Sequence, residues 1–334
     1  MNINQIIVLK ETRNGEGRVA LTPNTATSLV KKNLPIMVES QAGILAGFTD
    51  EEYIQAGAQI FKLNFKLPSH SFILRVKCPT PERESLENKL LSSDTIMMGF
   101  LDPLDDDTSH IARWKSLGLM LISLELLPLT ADDPKNAQAA MSHFAGRLAL
   151  QDALNRYQGS LPKKVAVIGT GPAGIGAAFA ARDLQLSVQL FGRQERFRQK
   201  AEETGITYYV LPESNSLDFI REHLHDQTII VTAARNIGKK SPLLIDDRVL
   251  AVLPADSVLI DLSTGEGGNI VGSKSDQVIS VDRNISIINV SGYPKAEPRA
   301  ASIAFANCMV NLLLEMITAD GKIDLKNPLL GQYY

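Results

Sequence analysis

The sequence predicts a two-domain α/β protein with a largely parallel sheet in each domain, and three observations predict it. At 334 residues the chain exceeds what one compact core of ordinary size holds. Short apolar runs alternate with helical patterns along it, the order that winds a parallel sheet. Near its middle a glycine-rich turn, Gly169-Thr170-Gly171-Pro172-Ala173-Gly174, stands between an apolar run and an alanine-rich stretch.

The first strand is the apolar run Ile6-Ile7-Val8-Leu9. A helix started by Pro23 runs through Leu29 and Val30, since proline at a first turn lacks only an N–H that has no helical partner. Strands follow over 35–39, 71–76, 95–100 and 119–124, separated by helical stretches such as 50–56 and 108–116. The run Asp105-Asp106-Asp107 complements the positive end of the helix that begins at Thr108. The polar segment Ala131-Asp132-Asp133-Pro134-Lys135 reads as a hinge. Beyond it, Met141, Phe144, Ala145, Leu148, Leu150, Ala153 and Leu154 mark a helix over 137–157, long enough to join two domains and expected along a cleft between them.

The second α/β unit begins with Val165-Ala166-Val167-Ile168 and the glycine-rich turn, then a helix over 173–184 and a strand over 187–191. Further strands fall at 228–232, 257–261 and 285–290, and a last apolar helix over 300–317 returns to the first domain. The domains so drawn are 1–135 with 310–334, and 136–309.

Composition narrows the function. Hydrophobic residues at 44% and charged residues at 21% are ordinary for a globular protein. The 34 basic and 37 acidic residues are intermixed, with a net charge of -3, so no positive stripe tracks a phosphate backbone and no nucleic-acid partner is expected. The most apolar stretch, 165–181, is broken by glycines and suits a strand and turn better than a membrane span. Cys78 and Cys308 are too few for a disulfide framework, and the five histidines lack metal-ligand spacing, so no metal is expected. With so few cysteines a reducing, cytoplasmic setting is the expectation, and the opening residues, with no apolar leader, read as a mature start.

The turn has a definite chemistry. Gly169 permits the tight bend, Gly171 lets backbone approach a pyrophosphate, and Gly174 lets the helix pack closely on the strand. Amides at the helix start, around Pro172 and Ala173, then face the phosphates of a nicotinamide dinucleotide. After the next strand such folds usually place an acid for the ribose 2′-hydroxyl, and this chain has Gly192-Arg193-Gln194-Glu195-Arg196. Arginines after a small residue suit a 2′-phosphate; alternatively Arg193 and Arg196 are solvated and Glu195 serves the ribose. NAD is the expected cofactor, with NADP left open by Gly192 and Arg193.

Several segments together resemble the alanine dehydrogenase and transhydrogenase α-subunit family over nearly the whole chain. They are Lys10-Glu11-Thr12-Arg13 with Arg18-Val19-Ala20-Leu21-Thr22-Pro23, Arg75-Val76-Lys77 with Pro79, and Met141-Ser142 with Ala145-Gly146-Arg147. The turn at Gly169, Asp261-Leu262 with Gly267-Gly268-Asn269, and Ala301-Ser302 with Phe305-Ala306-Asn307 complete them. The resemblance implies two Rossmann-like domains with a cleft between them, the nicotinamide in that cleft, and a homodimer. It assigns Arg18 and Lys77 to a carboxylate substrate, and Ser142, Thr232, Ala233, Asp261 and Gly267 to the cofactor beside the glycine turn.

Departures from the family steer the functional expectation. Asp102 stands where the dehydrogenases carry a catalytic histidine, and Gly265 where they carry an acid. An aspartate needs a strongly raised pKa to donate a proton, so these changes weigh against alanine dehydrogenase activity. The motif ending at Pro103 and the run Glu125-Leu126-Leu127-Pro128 are closer to the transhydrogenase α subunit, which exchanges hydride between nicotinamides without acid or base. Leu129 and Asn136 replace that family's arginine and aspartate, and the loop 235–240 lacks its proline. The leading expectation is a soluble, transhydrogenase α-subunit-like protein passing hydride from NADH to NADP, with membrane-bound partner subunits. The alternatives are a stand-alone amino- or oxo-acid dehydrogenase using Arg18, Lys77 and Asp102, and a non-catalytic nucleotide-binding module.

Overall fold

Runs of β-branched and aliphatic residues bury both faces of their strands, which suits parallel sheets covered by helices on either side. In the computed structural model, which describes residues 5–235, 240–263 and 267–318 with 322, 324 and 327, they do so in two sheets. The first contains β1 (Gln5–Val8), β2 (Ile36–Glu39), β3 (Gln59–Phe61), β4 (Ser71–Lys77), β5 (Ile96–Phe100) and β6 (Met120–Ser123). Its order is β3-β2-β1-β4-β5-β6, and every pairing is parallel.

Helices α1 (Pro23–Val30), α2 (Asp50–Gln55), α3 (Pro81–Leu90) and α4 (Ser109–Ser116) lie between these strands in sequence. Thr22, Thr49 and Thr80 cap the first three, each hydroxyl accepting the amide three residues on. At α4 the Asp107 carboxylate takes the Ser109 N–H at 2.9 Å, so one member of the acidic run satisfies a first-turn donor directly.

After α5 (Ala137–Arg156) comes the second sheet, of β7 (Lys164–Ile168), β8 (Ser187–Gly192), β9 (Thr207–Val210), β10 (Ile229–Thr232), β11 (Val258–Asp261), β12 (Val278–Val281) and β13 (Ile285–Ile288). Its helices are α6 (Pro172–Asp183), α7 (Arg198–Glu203), α8 (Ser216–His223) and α9 (Asp247–Leu250). The order is β12-β13-β11-β10-β7-β8-β9, parallel except for the edge strand β12, which pairs antiparallel with β13. Both sheets therefore reverse strand order beside their first strand, the doubly wound arrangement with a switch point there.

The expected strands and the long helices are present, with ends shifted by a residue or two. β3, β9 and β12 have no counterpart in the sequence pattern, because three or four residues on a sheet edge are too short for a periodicity to declare itself.

The chain divides into two compact units, Met1–Met141 with Lys295–Tyr334, and Ser142–Pro294. The sequence-based boundary at 310 differs because α10 (Pro298–Met316) belongs to the first unit from its start, and the one at 136 differs because the first residues of α5, through Met141, stay with that unit too. The Ser302 hydroxyl accepts the Val19 amide at 3.0 Å, and the Phe305 ring lies 5.7 Å from that of Phe100. Among the described residues no helix is long and apolar enough to cross a membrane.

Candidate dinucleotide and charge-cluster sites

The residues singled out in the second unit lie at or just beyond the carboxyl ends of β7, β8, β10 and β11, except Ser142, which is in α5. Gly169 has φ +125°, and a Cβ there would come within 2.6 Å of the Ala233 carbonyl oxygen. At Gly174 a Cβ would meet the Gly169 carbonyl oxygen at 1.9 Å. Packing alone thus demands these two glycines. Gly171 is different: its backbone is extended, and a Cβ built on it would meet nothing within 4 Å. No described protein atom requires glycine there, and the space that a side chain would fill lies over the start of α6.

Gly171 is the N-cap of α6 and offers no side chain to the first-turn amides, while Pro172 removes one donor. The amides of Ala173 and Gly174 belong to the first turn, where N–H groups lack helical acceptors, and the helix dipole there favours an anion. Beside the turn, the Gly169 amide donates to the Phe191 carbonyl at 2.8 Å and the Ala233 amide to the Ile168 carbonyl at 2.9 Å. Thr232 ends β10 fully buried, its hydroxyl donating to the Ile260 carbonyl at 3.3 Å.

Asp261 is fully buried, and its carboxylate is consumed by the chain itself. One oxygen accepts the Ser263 amide at 2.9 Å, the other the amides of Asn269 at 2.8 Å and Ile270 at 3.1 Å. Asn269 in turn bonds the backbone of Ala234 through both ends of its side-chain amide, so Asp261 braces the loop beside the turn rather than presenting a free acid. Gly267, in that loop, is exposed with φ +96°. Ser142 is half-buried in α5, next to His143, whose carbonyl lies against Gly176 of α6. Gly265 and residues 236–239 of the loop that the family resemblance marks by its missing proline lie outside the described residues.

The first unit holds a separate cluster of charge. Lys77 Nζ lies 2.9 Å from one oxygen of Asp102 and Arg13 Nη2 lies 2.7 Å from the other. Asp102 follows β5 with φ +50°, a left-handed conformation that aspartate tolerates better than most residues. Its amide donates to Glu125 at 3.0 Å. Burial by itself pushes the Asp102 carboxyl up, but the Lys77 ammonium and the Arg13 guanidinium outweigh it and hold it below the usual range. Asp102 is accordingly a carboxylate at neutral pH.

Glu11 supports Lys77 from behind. The β4–β5 register shifts between Leu74 and Lys77, and the Glu11 carboxylate accepts the amides of Val76 at 2.6 Å and Lys77 at 3.2 Å. Burial pushes Glu11 up to about 7 even though the Arg75 charge and these amides pull it down. Arg18 stands apart from this pairing: it is buried, and the Nε–Nη2 edge of its guanidinium donates to both oxygens of Glu16, at 2.7 and 2.6 Å. The structure thus joins Lys77 to Asp102, whereas the fork of Arg18 is taken up within its own loop.

A cavity of about 460 Å³ opens at this cluster, lined by Arg13, Cys78, Thr80, Asp102, His110 and Lys295 among others. Burial and the Asp102 charge push the Cys78 thiol up to about 12, so it is no thiolate nucleophile. Asn136, in the expected aspartate position, caps α5 by accepting the Ala139 amide at 2.8 Å. Sequence motifs contain Arg13, Glu11 and Glu125 but assign them no role. Their partners lie far along the chain, and only the alternation of acid and base around Lys10-Glu11-Thr12-Arg13 hints at them.

Comparison with known proteins agrees with this architecture. Residues 7–145 match the family described as "Alanine dehydrogenase/PNT, N-terminal domain", and residues 136–333 match "Alanine dehydrogenase/PNT, C-terminal domain". The chain is 26% identical to an NAD(P) transhydrogenase alpha-subunit chain of Rickettsia prowazekii, over 97% of this chain and 92% of that one. It is 25% identical to the alanine dehydrogenase of Staphylococcus saprophyticus, over 89% and 83% of the two chains. A crystal structure of transhydrogenase from Sinorhizobium meliloti superposes with a TM-score of 0.87 at 25% identity, covering 98% of this chain and 96% of that one. An L-alanine dehydrogenase structure gives 0.81 at 26% identity, covering 93% and 89%.

Proposed function

The chain belongs to the alanine dehydrogenase/PNT family, and on that premise we propose that it binds a nicotinamide dinucleotide at the Gly169–Gly174 turn and exchanges hydride directly with a second nicotinamide held by a partner protein. The observation that carries the binding half is Gly171, a glycine that no described protein atom requires, over the first turn of α6. Two first-turn amides, a positive helix end and a space free of side chains fit a pyrophosphate. The bound nicotinamide would supply the hydride chemistry, and the residues of this chain hold and orient it.

The state of Asp102 favours exchange between nicotinamides over amino-acid oxidation. Reduction of an imino or oxo acid requires a proton donor near neutral pH, and Asp102 is held as a carboxylate between two cations. Direct hydride exchange moves two electrons and one hydrogen nucleus together from ring to ring, so no acid or base takes part. The alpha-subunit relatives are named for NAD(P) transhydrogenase, and we extend that reaction class to this chain, with the second nucleotide on a separate subunit.

The test is fluorescence titration of the purified protein and of Gly171→Val with reduced dinucleotides, followed by an assay for reduction of a thio-nicotinamide analogue with and without a nucleotide-binding partner subunit. The wild type is expected to bind, Gly171→Val to fold but bind at least about tenfold more weakly, and transfer to depend on the partner. Unaltered binding by Gly171→Val would overturn the placement on the turn. Partner-free reduction of 2-oxo acids with ammonia would overturn the hydride-exchange reading in favour of a dehydrogenase.

A further inference from the structure

The segment after β8 determines which dinucleotide the turn accepts, and we infer that this site selects the 2′-phosphorylated form, with Arg193 as the specificity-determining residue. The inference rests on the proposal that a dinucleotide lies on the Gly169 turn, and it goes further by naming which one.

In a doubly wound fold the adenosine ribose of a dinucleotide on the first turn falls beside the end of the second strand, where an acid accepts the 2′-hydroxyl and repels a 2′-phosphate. Here that strand is β8, and its last residue is Gly192. A Cβ at Gly192 would come within 2.4 Å of both Thr170 Cγ2 and Tyr208 Oη. The position therefore has no room for an acid, nor for any other side chain without displacement. The same closeness puts Thr170 of the turn against β8, so the residue following Gly192 emerges at the edge of the turn.

That residue is Arg193, which is exposed and has no hydrogen-bond or ion-pair partner among the described residues. The one acid within residues 192–198 is already engaged: Glu195 pairs with Arg198, Nε to Oε1 at 2.5 Å, and Arg198 is itself tied to the Tyr208 carbonyl at 3.0 Å and to a second acid, Glu202, at 3.1 Å. Arg196 lies in the same loop, its Nε on the Gln194 side-chain oxygen at 2.7 Å. Residues 192–198 thus hold three arginines and one paired acid, an excess of positive charge where a carboxylate would select the unphosphorylated ribose. A free guanidinium offers a planar fork of donors that matches phosphate oxygens and gains nothing comparable from a hydroxyl.

Hydride exchange between two nicotinamides runs in either direction, so a 2′-phosphorylated dinucleotide here would leave NAD(H) to the partner.

The experiment is equilibrium titration of the full chain and of Arg193→Gln with NADPH, NADH, 2′-AMP and 5′-AMP, at low and high salt, with circular dichroism to show that the variant is folded. NADPH is expected to bind at least about tenfold tighter than NADH, and 2′-AMP tighter than 5′-AMP, with both preferences shrinking as salt screens the phosphate. Arg193→Gln is expected to weaken NADPH about tenfold while leaving NADH within about twofold. Equal or reversed preference in the wild type, or equal loss of both dinucleotides in the variant, would overturn the inference while leaving the turn as the binding site. If neither dinucleotide bound, the turn's assignment would fail and this inference with it.

Discussion

At Glu11 burial and hydrogen bonding pull in opposite directions. Two backbone amides and Arg75 favour its charged form, burial opposes it, and the outcome is a group lifted from 4.5 to about 7. The folded protein then holds a proton that the unfolded chain has released, so this group's contribution to stability is complete below pH 4.5 and is lost as pH rises through 7. Thermal denaturation of the wild type should lose stability across that window, and Glu11→Gln, a permanently neutral stand-in, should flatten the slope as pH rises from 4.5 to 7. An unchanged slope would place the titration elsewhere.

Asp102 has the opposite sign. Its lowered pKa contributes stability above the ordinary aspartate range that disappears as the pH falls into the acid range. Asp102→Asn leaves Lys77 and Arg13 facing each other without their anion, and both are partly exposed, so solvent screening limits the expected cost to about 1–2 kcal/mol near neutral pH. Chemical denaturation of both proteins, at neutral pH and again below the ordinary aspartate range, measures it; the difference should shrink in acid.

At the level of elements, α5 and α6 meet backbone to backbone. A Cβ on Gly146 would stand 1.8 Å from the Ala173 carbonyl oxygen, and one on Gly176 would stand 2.2 Å from that of His143. An ordinary Gly→Ala change inside a helix gains about 1 kcal/mol in propensity. Here the overlap is with backbone that cannot rotate away, and Gly146→Ala is expected instead to destabilise by about 2 kcal/mol or more. It should also weaken dinucleotide binding, because Ala173 stands in the turn. A melting temperature equal to or above that of the wild type would show that the two helices separate easily.

These same elements show what was legible. The glycine turn could be read because its constraint is local: six consecutive residues state it, and the apolar strand and alanine-rich helix on either side frame it. The Arg13–Asp102 and Glu11–Val76 contacts could not, since they join residues 89 and 65 positions apart through strands that are neighbours only once the sheet is wound. For the same reason the Asp261 carboxylate, which the resemblance assigns to the cofactor, is found spent on three backbone amides, a use that residue type alone does not announce. β12 is hidden because its residues alternate only between exposed and half-buried.

At the scale of the whole molecule, each unit has its own sheet and its own buried apolar core, and the chain crosses between them twice, at 141–142 and 294–295. Two separable stabilities follow. A dinucleotide on the Gly169 turn should raise the transition of the second unit by about 2.7 kcal/mol at roughly one hundred times its dissociation constant. Hydrogen exchange with and without nucleotide would read this unit by unit: protection should grow across β7, α6 and β10. Growth confined to the strands of the first unit would contradict the assignment.

The two sheets follow one winding scheme, yet the link from first strand to first helix differs between them. In the second unit it occupies residues 169–171, between Ile168 and Pro172; in the first it occupies residues 9–22, between Val8 and Pro23. The short link presents main-chain amides and a single hydroxyl, that of Thr170, whereas the long one carries Glu11, Arg13, Glu16 and Arg18, which the described contacts pair with acids, bases and amides. Loop length, rather than architecture, therefore allots the work: lengthening the 169–171 link by even one residue should abolish nucleotide recognition without unwinding its sheet, while the 9–22 link should tolerate insertion at the exposed Gly15.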